Sequence, residues 1–190
     1  MSSTAKRIVI GITGASGVAI GLRLLEVLSG AEKHVIISEE AKRLIEIETD
    51  LSGDEAEASA DFVYDNSDMS SGLASGSYRY DAMVIAPCSM STLSKISAGI
   101  SDNLITRAAA VCLKERRTLV LVPRETPIST IHLRNMAELS QLGVVILPAC
   151  PAFYPRPEKI EDAVDFIVGR ILDALGIEND LYERWGGKAA

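Results

Sequence analysis

The sequence predicts one α/β domain, spanning residues 1–190, in which helices cover both faces of a mostly parallel sheet. Short apolar runs alternate along the chain with longer segments whose apolar residues recur at helical spacing. Each apolar run ends at a proline or a hydroxyl residue, which is typical of buried strands that lead into loops. A length of 190 residues and a hydrophobic fraction of 47% are enough for one buried core.

Five apolar runs predict the strands, because each is short, continuous and rich in branched side chains. The run before Thr13 and the run before Pro87 are both followed by loop residues, and the letters TLVLV mark the clearest strand of the chain. The predicted strands are 7–12, 35–37, 82–86, 118–122 and 144–147.

Six segments of helical spacing lie between or after these strands. Ser38 is predicted to cap the second helix, and Gly99 separates the third helix from the fourth. The predicted helices are 17–28, 38–49, 89–98, 103–113, 129–142 and 160–175. The serine- and glycine-rich segment 66–77 is predicted to be a mobile loop or lid.

Composition excludes several classes of protein. A net charge of -7 argues against a general binder of nucleic acid or anionic membranes. The sequence has no signal peptide and no run of about 18 apolar residues, so we expect a soluble cytoplasmic protein without a membrane span. Cys88, Cys112 and Cys150 are too widely spaced for a metal motif or disulfide framework, and we expect all three in the core.

Ligands of such sheets bind at the carboxyl ends of the strands. The first of these ends is the loop Thr13-Gly14-Ala15-Ser16-Gly17, whose glycines and free N–H groups suit an anion. A plain strand-to-helix turn would use the same residues. Ser38 stands where an NAD site would carry an acid for the ribose, so FMN is favoured over NAD.

Two further strand ends carry polar residues. The segment Pro87-Cys88-Ser89-Met90-Ser91-Thr92 offers three hydroxyls that could hold a ligand, or Ser89 could merely cap a helix. After the most apolar strand, Arg124 and Glu125 lie between two prolines, where charges must be paired or functional.

Several cations have no obvious structural role in an acidic protein. Arg107 and Lys114 are seven residues apart in a predicted helix and share one face, either as a solvated stripe or as an anion site. Arg170 lies on an otherwise apolar helix face and needs an anionic partner. His34 and His132 belong to no hydrolase triad and to no metal-ligand spacing, so no metal is expected.

Nine segments, in order, resemble the flavin prenyltransferases of the UbiX/Pad1 type. They cover nearly the whole chain except residues 51–80, and the central block is the most specific. They are TGASG (13–17), ISEEA (37–41) with ETD (48–50), APCSMSTLS (86–94), DNLITRAA (102–109), LKERRTLVLVPRETP (113–127), IHLRNM (131–136), LPACPAFYPRP (147–157), VDFIVGRILDALGI (164–177) and RWG (184–186). The chain departs from the family before Met69, where relatives often have an aromatic residue, and at Ser91, where a relative has glycine.

The resemblance implies a three-layer, Rossmann- or flavodoxin-like fold and a set of site residues. It implies that FMN is held by Gly14, Ala15, Ser16, Ser38, Ser89, Met90, Ser91, Thr92 and Arg124. It implies that a prenyl phosphate is held by Lys114, Arg124, Glu125, Tyr154 and Arg170, with Arg107 supporting the cluster and Trp185 closing it. It assigns assistance with the chemistry to Ser16, Glu48, Lys114 and Glu125.

The resemblance also implies a reaction. A dimethylallyl group passes, without a metal, from dimethylallyl monophosphate to N5 and C6 of reduced FMN, and the prenylated FMN serves a UbiD-type decarboxylase. Glu48 or the retained phosphate is the expected base. The family forms trimer-based homo-oligomers, dodecamers among them, with sites shared between subunits.

Two alternatives remain open at this point. An FMN-dependent cysteine decarboxylase of the same fold group would carry a catalytic histidine and a PASANT-like segment, whereas this chain has PCSMST and no histidine between His34 and His132. A non-enzymatic flavin-binding subunit would not need Arg107, Lys114, Glu125 and Arg170.

Overall fold

The computed structural model describes residues 5–186, so the first four and last four residues of the predicted domain lie outside the described part. The strands are β1 Lys6–Ile12, β2 Ala31–Ile37, β3 Phe62–Tyr64, β4 Ala82–Cys88, β5 Thr118–Pro123 and β6 Val145–Ile146. The helices are α1 Val18–Val27, α2 Glu39–Glu48, α3 Gly53–Glu57, α4 Met90–Ser97, α5 Leu104–Lys114, α6 Thr130–Gln141 and α7 Ile160–Ala174. A 3-10 turn covers Gly72–Ala74.

The six strands form one sheet in the order β3-β2-β1-β4-β5-β6, and every neighbouring pair is parallel. From β1 the chain adds β2 and then β3 on one side. It then crosses to the other side of β1, where it adds β4, β5 and β6. The order therefore reverses between β1 and β4, and a crevice opens at their carboxyl ends.

Alternate residues of the central strands pack into two separate cores, one on each face of the sheet. On one face, Ile8 and Ile10 pack with α1 and α7, whereas Val9 on the other face packs with α4, α5 and α6. The structure thus has three layers, and the continuous apolar runs of the sequence are explained by burial on both faces.

The predicted α/β class and all eleven predicted elements are confirmed, with shifts of one to four residues at their ends. The sequence prediction missed β3 and α3. Strand β3 has only three residues, of which Phe62 and Val63 are about half exposed. Helix α3 has five residues and depends on a capping box between Ser52 and Glu55 rather than on an apolar stripe.

One other expectation is corrected, and segment 66–77, predicted to be a mobile loop or lid, packs partly on the domain. Cys88 and Cys112 are buried as predicted, but Cys150 is exposed because it follows β6 in the loop at the sheet edge. The segment 66–77 does not stand free of the domain. Its 3-10 turn buries Leu73 completely, and Arg107 Nε donates a hydrogen bond to the Ala74 carbonyl at 2.9 Å.

Candidate active site

Thr13 joins the two loops that border the crevice between β1 and β4. Its hydroxyl donates to the Pro87 carbonyl at 2.9 Å and accepts from the Ser89 N–H at 2.8 Å. The Thr13 N–H also donates to the Pro87 carbonyl, at 3.2 Å. The residue is 2% exposed, so these bonds are shielded from water and hold both loops in one arrangement.

A cavity of about 370 Å³ lies in this crevice. It gathers five residues predicted for the flavin, namely Gly14, Ser38, Ser89, Ser91 and Thr92. It also gathers six that the sequence analysis did not assign, namely Thr13, Glu40, Asn66, Lys95, Asn103 and Ile105. Of the other predicted flavin residues, Ala15 and Met90 are buried in the protein beside the cavity lining, and Ser16 is exposed.

Gly14 is required at the cavity wall because its loop passes very close to α2. A Cβ atom on residue 14 would lie 2.7 Å from Glu40 Cβ, which is closer than two carbon atoms can approach. Any larger residue would therefore push the loop 13–17 away from the start of α2. The glycine of the TGASG segment thus serves a close approach as well as a tight turn.

Two helices begin at the cavity with a serine cap. The Ser38 side chain accepts from the Ala41 N–H, and the Ser89 side chain accepts from the Thr92 N–H, both at 3.2 Å. These caps confirm the predicted role of both serines at helix starts. The N-termini of α2 and α4 carry partial positive charge and therefore favour an anionic group in the cavity.

The far wall of the cavity is formed by the start of α5 and by Asn66. The Asn66 side chain accepts from the Ile105 N–H at 3.1 Å, and its carbonyl accepts from the Leu104 N–H at 2.8 Å. Lys95, on the same rim, pairs with Asp102 at 2.7 Å, which lowers the pKa of that carboxyl. Nothing local in the sequence marks Asn66, because it meets α5 across 39 residues of chain.

A second group of predicted residues meets at the start of α1. The Glu48 carboxylate accepts from the N–H groups of Gly17 at 2.8 Å and Val18 at 3.2 Å. Arg124 Nε donates to the Ser16 carbonyl at 3.1 Å. The structure thus brings Ser16, Glu48 and Arg124 together at the carboxyl edge of the sheet. Glu125, which follows Arg124 in the chain, is half-buried.

Cys88 is excluded as a nucleophile although it lies in the PCSMST segment. The side chain is fully buried, and burial raises the pKa of its thiol well above the usual range. The neutral thiol therefore fills the core behind the cavity.

A third group surrounds Arg170 and includes the anionic partner that the sequence analysis required. Arg170 is exposed and lines a second cavity of about 390 Å³ between β6 and α7. Its guanidinium lies 3.1 Å from the Asp173 carboxylate, one helical turn away. The rings of Tyr154 and Trp185 contact each other, with centroids 5.3 Å apart.

The remaining predicted cations, Arg107 and Lys114, both lie on α5, Arg107 near its start and Lys114 at its end. Lys114 ends α5 just before β5 begins, so it lies near the amino end of β5, whereas Arg124 follows its carboxyl end. Six residues of strand separate these two edges by roughly 20 Å. Lys114 contacts Glu115, and one chain does not bring Lys114 together with Arg124.

Two features are absent from the part of the chain that the structure describes. None of the helices in residues 5–186 is both long enough and apolar enough to cross a membrane. Within the same residues, no three His, Cys, Asp or Glu side chains are grouped so that they could hold a metal ion.

Known proteins are similar to this chain over most of its length. Residues 1–172 match the family model described as Flavoprotein. Flavin prenyltransferase UbiX of Thermoplasma acidophilum is 52% identical over 179 residues, covering 94% of this chain and 99% of the relative. The mitochondrial flavin prenyltransferase PAD1 of Saccharomyces cerevisiae is 48% identical over 184 residues, covering 96% of this chain and 76% of the relative.

Solved structures agree with the sequence matches. AnUbiX (PadA1), crystallised in complex with FMN and dimethylallyl pyrophosphate, superposes with a TM-score of 0.96 at 46% identity, covering 98% of this chain and 100% of that one. A dodecameric FMN-dependent Ubix-like decarboxylase from Escherichia coli O157:H7 superposes with a TM-score of 0.92, also at 46% identity, covering 95% of this chain and 100% of that one.

The cysteine decarboxylase alternative retains only a likeness of fold. The FMN-dependent cysteine decarboxylase TvaF superposes with a TM-score of 0.60 at 20% identity. The matches near 50% identity, by contrast, are to flavin prenyltransferases and run over nearly the whole chain. The chain belongs to the UbiX-type family of flavin prenyltransferases.

Proposed function

We propose that this protein transfers a dimethylallyl group from dimethylallyl monophosphate to N5 and C6 of reduced FMN, without a metal ion. The observation that carries the proposal is that two features lie side by side at the carboxyl edge of the sheet. A cavity lined by hydroxyls and helix N-termini lies beside the group of Ser16, Glu48 and Arg124. The first feature suits a flavin phosphate, and the second suits acid–base chemistry on a leaving anion.

FMN fits the crevice through the chemistry of its walls. The N-termini of α2 and α4 and the hydroxyls of Ser38, Ser89 and Thr92 would hold the ribityl phosphate or its hydroxyls. Ser91, Gly14 and Ala15 border the same space, and Met90 packs directly behind it. Arg124 reaches from the end of β5 to the loop after β1 and would contact the flavin from the open side.

In the proposed reaction, the carbon–oxygen bond of the prenyl phosphate breaks and its electron pair leaves with the phosphate. N5 of reduced FMN supplies the electron pair of the new carbon–nitrogen bond and then loses its own proton, which the released phosphate can accept. Cations near the leaving phosphate stabilise its developing charge, and Glu125 can protonate it. Closing the ring to C6 adds a proton to the prenyl double bond and removes one from C6, for which Glu48 or the retained phosphate is the proposed base.

The prenyl phosphate would be held by residues from two subunits. Arg124, Glu125 and Tyr154 follow strand ends of one chain, Arg170 lies on α7 of the same chain, and Trp185 would close the pocket. Lys114, which lies at the other edge of that chain, would come together with Arg107 from a neighbour in a trimer-based homo-oligomer such as a dodecamer. The E. coli relative of similar structure is a dodecamer, which supports this arrangement.

The cellular setting follows from the proposed product. Prenylated FMN has no use in the transfer itself, so a UbiD-type decarboxylase would receive it. We place the reaction in the cytoplasm, where reduced FMN and prenyl phosphates are both available to a protein with an acidic surface.

Mass spectrometry of the flavin tests the proposal directly. The protein is incubated anaerobically with reduced FMN and dimethylallyl monophosphate, in buffer with and without EDTA. We expect a flavin heavier by one prenyl unit in both samples. Unchanged FMN would refute prenyl transfer, and product formed only without EDTA would refute the metal-free reaction.

Two variants then separate the proposed roles. Arg170→Ala should leave FMN affinity intact but weaken prenyl phosphate binding roughly tenfold or more, because a charge-assisted contact contributes about 1.5–3 kcal/mol. Glu125→Gln keeps the shape and removes the titratable proton, so it should slow transfer far more than it changes either affinity. Normal single-turnover rates in both folded variants would rule out these roles.

A further inference from the structure

Asp173, in the last turn of α7, accepts hydrogen bonds from four different side chains. Its Oδ2 atom accepts from Tyr182 at 2.6 Å and from Arg170 Nη1 at 3.1 Å. Its Oδ1 atom accepts from Arg184 Nη2 at 2.8 Å and from Asn179 Nδ2 at 3.0 Å. A single carboxylate therefore connects α7 with three residues of the chain that follows it.

The chain that follows α7, residues 177–186, is called here the C-terminal strap. It folds back along the helix that it has just left, and Tyr182 lies directly on Gly169. A Cβ atom on residue 169 would lie 2.4 Å from Tyr182 Cδ1, so only glycine allows this contact. Phe166 packs edge-on against Tyr182, with ring centroids 4.9 Å apart.

The end of the strap contacts Tyr154, one of the residues proposed to hold the prenyl phosphate. The Tyr154 hydroxyl donates to the Glu183 carbonyl at 2.8 Å. The next residue but one, Trp185, meets the Tyr154 ring edge-on. The position of Trp185 over Tyr154 thus depends on how firmly the strap is fastened at Asp173.

Arg170 is oriented by the same carboxylate. Within residues 5–186, the hydrogen bonds recorded for Arg170 all use Nη1, which donates to Asp173 and to the Tyr182 hydroxyl. A guanidinium has five N–H donors in a rigid fork. With Nη1 engaged in this way, Nε and Nη2 remain together on one edge of the planar guanidinium, and such an edge can bind phosphate in a bidentate manner.

We propose that Asp173 is a positioning residue for prenyl transfer, because it both orients Arg170 and fastens the C-terminal strap that carries Trp185. Asp173 need not touch either substrate for this role. The proposal rests on the proposed function in that Arg170 is taken to bind the prenyl phosphate. The fastening of the strap is independent of the reaction and can be measured without it.

The test compares Asp173→Asn with a matched control, Asp165→Asn, on the FMN-loaded protein. Asp165 is on the same helix, and its carboxylate pairs with Arg23 at 2.7 Å. Its side chain is 26% exposed, against 19% for Asp173, so both changes remove a comparable surface ion pair. Asp173→Asn should raise the KM for dimethylallyl monophosphate about tenfold, while FMN affinity changes less than about twofold. Asp165→Asn should change neither value.

Fluorescence reports the strap separately, because Trp185 is the only tryptophan of the chain. Asp173→Asn should lower the time-resolved anisotropy of Trp185 and increase its quenching by acrylamide. Asp165→Asn should leave both signals at their wild-type values. If Asp173→Asn does not fold, Tyr182→Phe removes only the hydroxyl donated to Asp173 and should move the same signals in the same direction.

The outcomes separate this proposal from the proposed function. Wild-type anisotropy and wild-type KM in folded Asp173→Asn, with the wild type active, would overturn the positioning role and leave prenyl transfer intact. Absence of prenyl transfer in the wild type would overturn the proposed function. In that case the anisotropy still decides whether Asp173 fastens the strap, and unchanged anisotropy would overturn that part as well.

Discussion

At the scale of single residues, Thr13 and Asp173 each hold two parts of the chain together through one side chain. Thr13 connects the loops after β1 and β4, and Asp173 connects α7 with the C-terminal strap. Their effects differ because Thr13 is buried and uncharged, whereas Asp173 is partly exposed and ionised. Substitution of Thr13 should therefore lower the stability of the buried loops. Acid should instead protonate Asp173 and weaken its contacts with the strap.

Thr13→Val keeps the shape of the side chain and removes the hydroxyl that the Ser89 N–H uses. A buried donor without an acceptor costs about 1–3 kcal/mol, so the urea midpoint of unfolding should fall by a corresponding amount. FMN affinity, measured by quenching of flavin fluorescence, should fall as well, because the loop at Ser89 loses its fixed position. Thr13→Ser retains the hydroxyl and serves as the control. Equal FMN affinity in the valine and serine variants would contradict the role of the hydroxyl.

Acid should release the C-terminal strap through Asp173. The Asp173 carboxyl faces Arg184, Tyr182 and Asn179 on the strap and Arg170 on its own helix. Arg184 above all, with Tyr182 and Asn179, lowers its pKa to about 2. The unfolded value is about 3.9, so the stabilisation is complete above that pH and is lost as the pH falls towards 2. The melting temperature of wild type minus that of Asp173→Asn should thus be largest above about pH 4 and shrink below it. A constant difference from pH 6 to pH 3 would disprove this linkage.

At the scale of elements, local chemistry in the sequence was enough for most helices and strands. Ser38 and Ser89 were identified as helix caps because a cap acts within three residues of its own position. Strand β3 could not be predicted in this way. It depends on pairing with β2, and its three residues have no periodicity of their own. The docking of segment 66–77 depends on Leu73 meeting α5, which composition does not show.

The contact between α7 and the strap makes Gly169 a sensitive position. In an ordinary exposed helix, glycine to alanine stabilises by roughly 0.5–1 kcal/mol. Here the added Cβ would meet Tyr182, so Gly169→Ala should lower the melting temperature and speed tryptic cleavage after Arg184. In a Tyr182→Ala background the two ring atoms are gone and only Asn179 Oδ1, at 2.9 Å from the added Cβ, remains, so the same substitution should be clearly less destabilising. A Gly169→Ala effect of the same sign and size in both backgrounds would show that the ring is not the cause.

At the scale of the whole molecule, the sequence could propose site residues but not how they are distributed over the chain. Arg107 and Lys114 lie seven residues apart on α5, as predicted, yet Lys114, at the end of that helix, is at the opposite edge of the sheet from Arg124. Glu48 reaches the start of α1 across 31 residues, a contact that no spacing rule encodes. The resemblance to the family could propose these residues because family motifs follow function. Hydrophobic periodicity follows only the fold of one chain.

Two inactive variants should restore each other if the site is shared between subunits. Arg107→Ala damages one half of the proposed site, and Arg170→Ala damages the other. In oligomers reassembled from an equal mixture, about one quarter of the sites would combine two intact halves, given random placement in a closed ring. Product per chain should then approach about one quarter of the wild-type value, measured as prenylated flavin by mass spectrometry. Mixtures as inactive as the separate variants would show that each chain carries its own complete site.

The position of Lys114 has a further consequence for how the activity depends on protein concentration. Because Lys114 and Arg124 belong to opposite edges of one chain, the proposed catalyst is a product of association rather than of folding alone. Its specific activity would then depend on its own concentration, by mass action, and fall on dilution below the point at which subunits part. The flavin cavity is lined within one chain, so FMN binding should persist at dilutions where prenyl transfer has stopped.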